Sequence, residues 1–285
     1  GLSPLTENSD QMAVRYTESQ IQKLREYGDG PVDLSEFSDA AERDSSFAKL
    51  MAAEMSINDT EVKDMISNPR GHDLVQLERD LSKALIDAGF AEVRTPTMMS
   101  KAALAKMTIT EDHPLYKQVF FVDSKRCLRP MLAPNLYYYM RKLRDHTEGT
   151  IRFFEIGSCF RKESHSGRHL EEFTMLNLVE QGQIEDPMAD LREFIDIVMD
   201  TVGLKYETVR EESDVYVETL DVEIDGIEVA SGAVGPHILD AAHDIHEPWC
   251  GIGFGLERLL AMKNGKNSVR KTGRSLTYLN GRKID

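Results

Sequence analysis

Arg161 and Glu163 stand two residues apart after an apolar run, in Phe160-Arg161-Lys162-Glu163. On a strand that spacing places both side chains on one face. A guanidinium fork there can chelate a phosphate. A carboxylate beside it can accept a hydrogen bond from the amino group of a nucleobase. The polar stretch Ser164-His165-Ser166-Gly167-Arg168-His169 follows, then Leu170-Glu171-Glu172-Phe173. Phe173, on the returning strand, offers a ring face for stacking a base. Taken alone, the segment also fits a charged surface hairpin. His165 and His169 are four apart, but no helix carries them and no third ligand follows at a useful spacing, so they are not read as a metal pair.

A second segment reads Gly251-Ile252-Gly253-Phe254-Gly255-Leu256-Glu257-Arg258. Alternating glycines remove side chains where a ligand or another backbone comes close. Arg258 then falls in the first turn of a helix. The pattern is neither the dinucleotide fingerprint nor a phosphate loop ending in Gly-Lys-Ser/Thr. A third segment, Glu228-Val-Ala-Ser231-Gly232-Ala233-Val234, places an acid and a hydroxyl three apart. Those oxygens could ligate magnesium on a nucleotide. An ordinary strand with small residues packed under a helix would look the same.

The elements that must position these groups are legible from periodicity. Thr17-Glu18-Ser19-Gln20 has capping-box spacing and Gly28 stops the helix that follows. Further helices are predicted over Ser38–Met55 and Thr60–Ser67, the latter ended by Asn68-Pro69. Leu74, Leu77, Leu81 and Leu85 mark one face of an amphipathic helix that Gly89 ends. Phe90–Arg94 and Val119–Val122 read as short strands, Asn135–Arg144 as a helix behind Pro134. Ile151–Phe160 and Glu172–Val179 read as strands, Pro187–Val202 as an amphipathic helix. Leu220–Ile224 and Ile227–Val234 flank Asp225-Gly226, a strong hairpin signal. Gly251–Gly255 leads into a helix over Leu256–Met262. Hairpin-paired strands with helices between them predict an α+β fold, a mostly antiparallel sheet flanked by helices. Residues 1–11 read as a polar leader, with Met12 as the natural start, residues 12–70 as a small helical extension, and 71–285 as the main domain.

Composition bounds the rest. With 285 residues, 41% of them apolar, the chain can bury a sizeable core. No apolar run reaches membrane-spanning length and the N-terminus lacks the core of a secretory signal. The expectation is a cytoplasmic protein without a membrane partner. Cys127, Cys159 and Cys250 are far apart, which argues against a disulfide scaffold and structural zinc and for a reducing compartment. The net charge of −15 opposes nucleic-acid binding. The balance reverses locally: Lys263, Lys266, Arg270, Lys271, Arg274, Arg282 and Lys283 face one acid, Asp285. Such a patch can dock RNA, or be a solvated tail.

Together these segments resemble the class II aminoacyl-tRNA synthetases. Gly89-Phe90…Pro96 is similar to motif 1, Phe160-Arg161-Lys162-Glu163…Phe173 to motif 2, and Gly253-Phe254-Gly255-Leu256-Glu257-Arg258 to motif 3. Within that family, Leu128–Tyr137, Phe173-Thr-Met-Leu-Asn177, Pro248–Gly255, Met107–Pro114 and Ser275–Gly281 resemble the pyrrolysyl branch, in the short archaeal form without a separate N-terminal tRNA-binding domain.

The resemblance implies ATP as substrate, with Mg2+, and aminoacylation of the tRNA 3′ end. It implies Arg161 on the α-phosphate, Glu163 at the adenine amino group, and Phe173 and Arg258 sandwiching the ring, with Leu170 nearby. His169 and Arg258 would lie near the outer phosphates, and Glu228 and Ser231 would hold magnesium. Asn177 would hydrogen-bond the substrate's side-chain amide carbonyl. Met131, Ala133, Leu136, Tyr137, Met140, Val179, Ala233, Trp249 and Gly251 would line an apolar pocket, covered by Tyr216 on a mobile loop. Val179 and Met140 stand where other members carry different apolar residues. A homodimer is implied by motif 1, and tRNA contact by the basic C-terminal region and the N-terminal helices. Rival readings are a class II enzyme for another amino acid, such as phenylalanine, and a non-catalytic tRNA-binding paralogue.

Overall fold

The computed structural model describes residues 13–163, 170–211 and 216–285. It forms two compact units, one of residues up to 70 together with Arg282–Asp285, the other Gly71–Gly281. The polar leader and His165 and His169 lie outside the described residues.

The first unit is built on α1 (Glu18–Tyr27) and α2 (Ala40–Ser67). Thr17 and Gln20 close a full capping box on α1. One helix of 28 residues stands where two were expected. The expected break fell on Ser56–Asp59, residues of modest helix propensity. Asn58 decides the matter: its Nδ2 donates to the carbonyls of Glu54, one turn back, and Tyr27, while its Oδ1 accepts from the backbone of Lys283. A buried amide with three partners holds the helix continuous at the position that would otherwise end it. Arg282 pairs with Glu61, so the last four residues belong to this unit and not to the sheet.

The second unit is a seven-stranded sheet with helices. Its elements are α3 (Asp73–Asp87), β1 (Ala91–Glu92), β2 (Met98–Ser100), α4 (Lys101–Lys106), β3 (Arg126–Leu128), α5 (Ala133–Leu143), β4 (Ile151–Phe160), β5 (Glu172–Gln181), α6 (Pro187–Val202), β6 (Glu207–Glu211), β7 (Tyr216–Ile224), β8 (Ile227–His237), β9 (Trp249–Gly255) and α7 (Leu256–Lys263). The order is β1-β4-β5-β9-β8-β7-β6, antiparallel throughout except β1 beside β4. Asp225 and Gly226, at φ 50° and 78°, form the left-handed pair that a tight β7–β8 hairpin requires. The strand expected over Val119–Val122 shrinks to one bridge, Phe121 to Cys127. The 3-10 turn Pro114–Gln118 takes up the preceding chain, leaving too few residues for a ladder.

Strand alternation gives the sheet two faces. Phe154, Ile156, Leu176, Leu178, Ile252 and Phe254 point to one face, where they pack with the leucine stripe of α3 and the apolar faces of α6 and α7. Burial of each such side chain is worth roughly 1.5–3 kcal/mol, so this is the core that holds the sheet. The intervening residues point to the other face. There Phe153, Cys159, Val179 and Trp249 meet Leu132, Leu136, Tyr137 and Met140 from the α5 region. This second face carries the predicted chemistry.

Candidate active site

Pairing aligns Glu155, Asn177, Gly253, Ser231 and Asp221 in one row across five strands. The next row holds Phe153, Val179, Gly251, Ala233 and Thr219. Over these rows lies a cavity of about 280 Å³. Helix α5 supplies Ala133, Leu136, Tyr137 and Met140; β5 supplies Asn177 and Val179; β7, β8 and β9 supply Tyr216, Ala233, Trp249 and Gly251. The glycines of β9 leave its floor open, since a Cβ on Gly253 would come 3.0 Å from Asn177 Oδ1. Asn177 Oδ1 is buried without a hydrogen-bond partner. Among the described residues no acidic side chain lines this cavity.

Two expectations shift. Met131 does not line the cavity and instead packs beside Met99, Leu104 and Val119. Its backbone precedes α5, so its side chain falls toward the neighbouring cluster. Tyr216 is the first residue of strand β7, paired with His237, and not a loop residue.

Arg161 continues the β4 ladder, its amide donating to the Glu171 carbonyl. Its Nε donates to the Pro130 carbonyl at 2.9 Å and its guanidinium lies 5.6 Å from the centre of the Phe173 ring. Backbone and cation–π contact thus orient the guanidinium, and among the described residues no side-chain hydrogen bond engages its terminal nitrogens. Glu163 and Leu170 are half-buried at the two ends of the motif 2 stretch outside the description. Arg258, in the first turn of α7, donates to the Glu228 carbonyl at 3.0 Å. Glu228 is held above its ordinary value, first by burial and then by Asp221, against the pull of Arg258. Ser231 donates to Asp221 at 2.8 Å.

Residues that sequence reading did not single out support this site. Arg129 is buried under the sheet edge, bonded to Ser158, Thr95 and Pro96 carbonyls and paired with Glu155 at 3.4 Å. Glu155 also accepts from the backbone and hydroxyl of Thr95. The guanidinium passes over Gly157, where an added Cβ would sit 2.2 Å from Arg129 Nη2. Glycine in the middle of a strand was the available signal. Asp221, Met107 and His237 were also missed; the last two line the cavity.

Glu257 of the motif 3 segment is buried and accepts the Thr174 amide with both oxygens, at 2.7 and 2.9 Å. Burial pushes its carboxyl from 4.5 up to about 7, against the Thr174 bonds and Arg274. The folded chain then keeps a proton that the unfolded chain releases. Its contribution to stability is full below pH 4.5 and is lost as pH rises through about 7. In urea unfolding at pH 5 and pH 8, Glu257→Gln should reduce the acid-side advantage by about 1–3 kcal/mol relative to the unaltered chain.

The basic C-terminal patch is only partly a surface. Lys271 is buried, with its ammonium 5.8 Å from the centre of the Tyr278 ring. Arg274 pairs with Glu172 and donates to Thr174. Lys263 and Arg270 are exposed.

The fold and this arrangement define a class II synthetase core. Residues 56–279 match the family described as tRNA synthetases class II core domain (F), and the chain belongs to the class II aminoacyl-tRNA synthetases. A crystal structure of the pyrrolysyl-tRNA synthetase from Desulfitobacterium hafniense is similar, with TM-score 0.90 and 45% identity over 95% of this chain and 99% of that one. A second structure of a pyrrolysyl-tRNA synthetase from that organism gives TM-score 0.90 and 42% identity over 99% and 100%. Among curated sequences, the lysine–tRNA ligase of Fusobacterium nucleatum is 28% identical over 59% of this chain and 30% of its own length. That of a Psychrobacter species is 27% identical over 65% and 36%. The chain thus spans about a third of the length of these relatives. Among the described residues no helix is long and apolar enough to cross a membrane.

Proposed function

We propose that the chain activates pyrrolysine with ATP and transfers it to the 3′ end of its tRNA. The observation that carries this reading is the cavity itself: an apolar enclosure that holds the unpartnered buried amide oxygen of Asn177 and, among the described residues, no lining acid. A long side chain ending in an amide and an apolar ring matches it. The side-chain amide of asparagine can both donate and accept, so it satisfies either end of a substrate amide. A lysine ammonium would be desolvated there without a carboxylate. The near full-length likeness to pyrrolysyl-tRNA synthetases supports the same choice.

In this reading the substrate carboxylate attacks the α-phosphorus of ATP and pyrophosphate leaves. No covalent enzyme intermediate is needed. Catalysis is alignment and neutralisation of developing charge. Arg161 meets the α-phosphate, Glu163 the adenine amino group, and Phe173 and Arg258 the ring, with Leu170 beside it; His169 and Arg258 meet the outer phosphates. Asp221, Glu228 and Ser231 bring hard oxygen donors together; burial first, and then the Asp221 charge, raise the Glu228 carboxyl, and a cation would favour its charged form against both. Glu228 and Ser231 would hold Mg2+, which would supply charge neutralisation to the phosphates. Two copies of the chain would associate through the motif 1 region, and residues 71–281 would form the catalytic domain.

The test is pyrophosphate exchange into ATP that depends on an amide-bearing lysine derivative, followed by charging of tRNA with that amino acid. Absence of exchange with every such derivative would refute the reading. Within the basic region, the exposed Lys263 and Arg270 are assigned to tRNA together with the N-terminal helices. Neutralising both with glutamine should weaken tRNA binding about tenfold and flatten its salt dependence by about two ions, with exchange unaffected.

A further inference from the structure

Behind the aromatic wall of the cavity sits a carboxylate that the reaction does not use. Asp240 is buried. Its Oδ1 accepts from the hydroxyl of Tyr137 at 2.9 Å. Its Oδ2 accepts from the indole N–H of Trp249 at 2.8 Å and from the backbone amide of His237 at 2.8 Å. The three donors come from α5, from β9 and from the end of β8. One side chain therefore ties together three separate walls of the cavity.

The geometry leaves the aromatic rings little freedom. Tyr137 stacks on His243 at 4.3 Å, and Trp249 lies edge-on to both Tyr137 and Tyr216. Gly235 lies against the indole, where an added Cβ would come 2.4 Å from Nε1. Packing alone permits the indole and phenol to slide in their planes. Hydrogen bonds to a common acceptor fix that coordinate, and bonds to a carboxylate are about twice as strong as neutral ones. The same bonds turn both oxygens toward the protein. The carboxylate near the cavity is thus engaged by its own wall and is not presented to a substrate ammonium.

We infer that Asp240 is a positioning residue that fixes the Tyr137–Trp249 wall and thereby sets the pocket for a long uncharged side chain. This rests on the proposed pyrrolysine activation. The test uses the full chain and Asp240→Asn, which keeps shape but points an N–H at neighbouring donors. The expected result is a rise of about tenfold or more in KM for an Nε-acylated lysine, with kcat and the KM for ATP within about threefold. Trp249 is the sole tryptophan, so its emission reads the wall directly and should change in the variant. An unaltered amino-acid KM, or a loss shared equally by ATP, would overturn the assignment. Should the unaltered chain activate no acylated lysine, the proposed function fails; the role of Asp240 is then decided by Trp249 emission, and an unchanged spectrum overturns it. Should Asp240→Asn not fold, Tyr137→Phe removes one donor from the same carboxylate and must show the same selective rise and emission change, and their absence overturns it.

Discussion

Replacing Arg161 by alanine is expected to slow ATP–pyrophosphate exchange about a hundred- to a thousandfold, the loss typical of removing one preorganised donor from a developing charge. Pre-steady-state or exchange kinetics at saturating amino acid check it. The structure says why the loss should fall on chemistry and not on folding. Among the described residues, the Arg161 side chain makes one hydrogen bond, to the Pro130 carbonyl, and covers the Phe173 ring. Both are modest contributions to stability, so the unfolding midpoint should move little. Lysine at this position keeps the charge but not the planar fork that, in the proposed mechanism, would bridge Pro130 to a phosphate, and should recover only a small part of the rate. A variant that kept full exchange would remove Arg161 from the mechanism.

Asn177→Ala should lower kcat/KM for an amide-bearing lysine derivative by about a hundredfold, because the substrate amide would be buried without a partner. Steady-state exchange with varied amino acid measures it. The effect on stability should be opposite in sign to that of most site deletions. Asn177 Oδ1 is buried and unpartnered, and removing an unsatisfied polar atom relieves a cost of about 1 kcal/mol. Stability gained while activity is lost would mark the residue as held for ligand binding. No gain of lysine activation is expected, since the substitution adds no carboxylate to the cavity.

Much of this was legible because periodicity reports burial. The leucine stripe of α3, the span of α6 between Pro187 and Gly203, and the paired strands around Asp225-Gly226 all follow from local rules. The cavity wall on α5 came from the family resemblance and not from periodicity, and Ala133, Leu136, Tyr137 and Met140 do share one helix face there. What could not be read depends on long-range partners. The continuity of α2 hangs on Asn58 reaching Tyr27 and Lys283, far away in sequence. The burial of Lys271 depends on Tyr278 and its surroundings, so charge counting alone overstated the basic surface. Arg129, Glu155 and Gly157 form one unit only once β4 lies beside the Thr95 segment. Asp240 sits in a loop without periodicity, and its partners Tyr137 and Trp249 come from other elements.

The nucleotide-binding and amino-acid-binding readings meet on β5, which carries Phe173 near one end and Asn177 four residues on. The central claim is that the cavity over this strand selects a long, uncharged, amide-bearing side chain. Pyrophosphate exchange measured side by side with pyrrolysine, lysine and phenylalanine tests it most directly. The account predicts robust exchange with pyrrolysine and at least about a hundredfold lower kcat/KM with the other two. Preferential exchange with lysine or phenylalanine would contradict it.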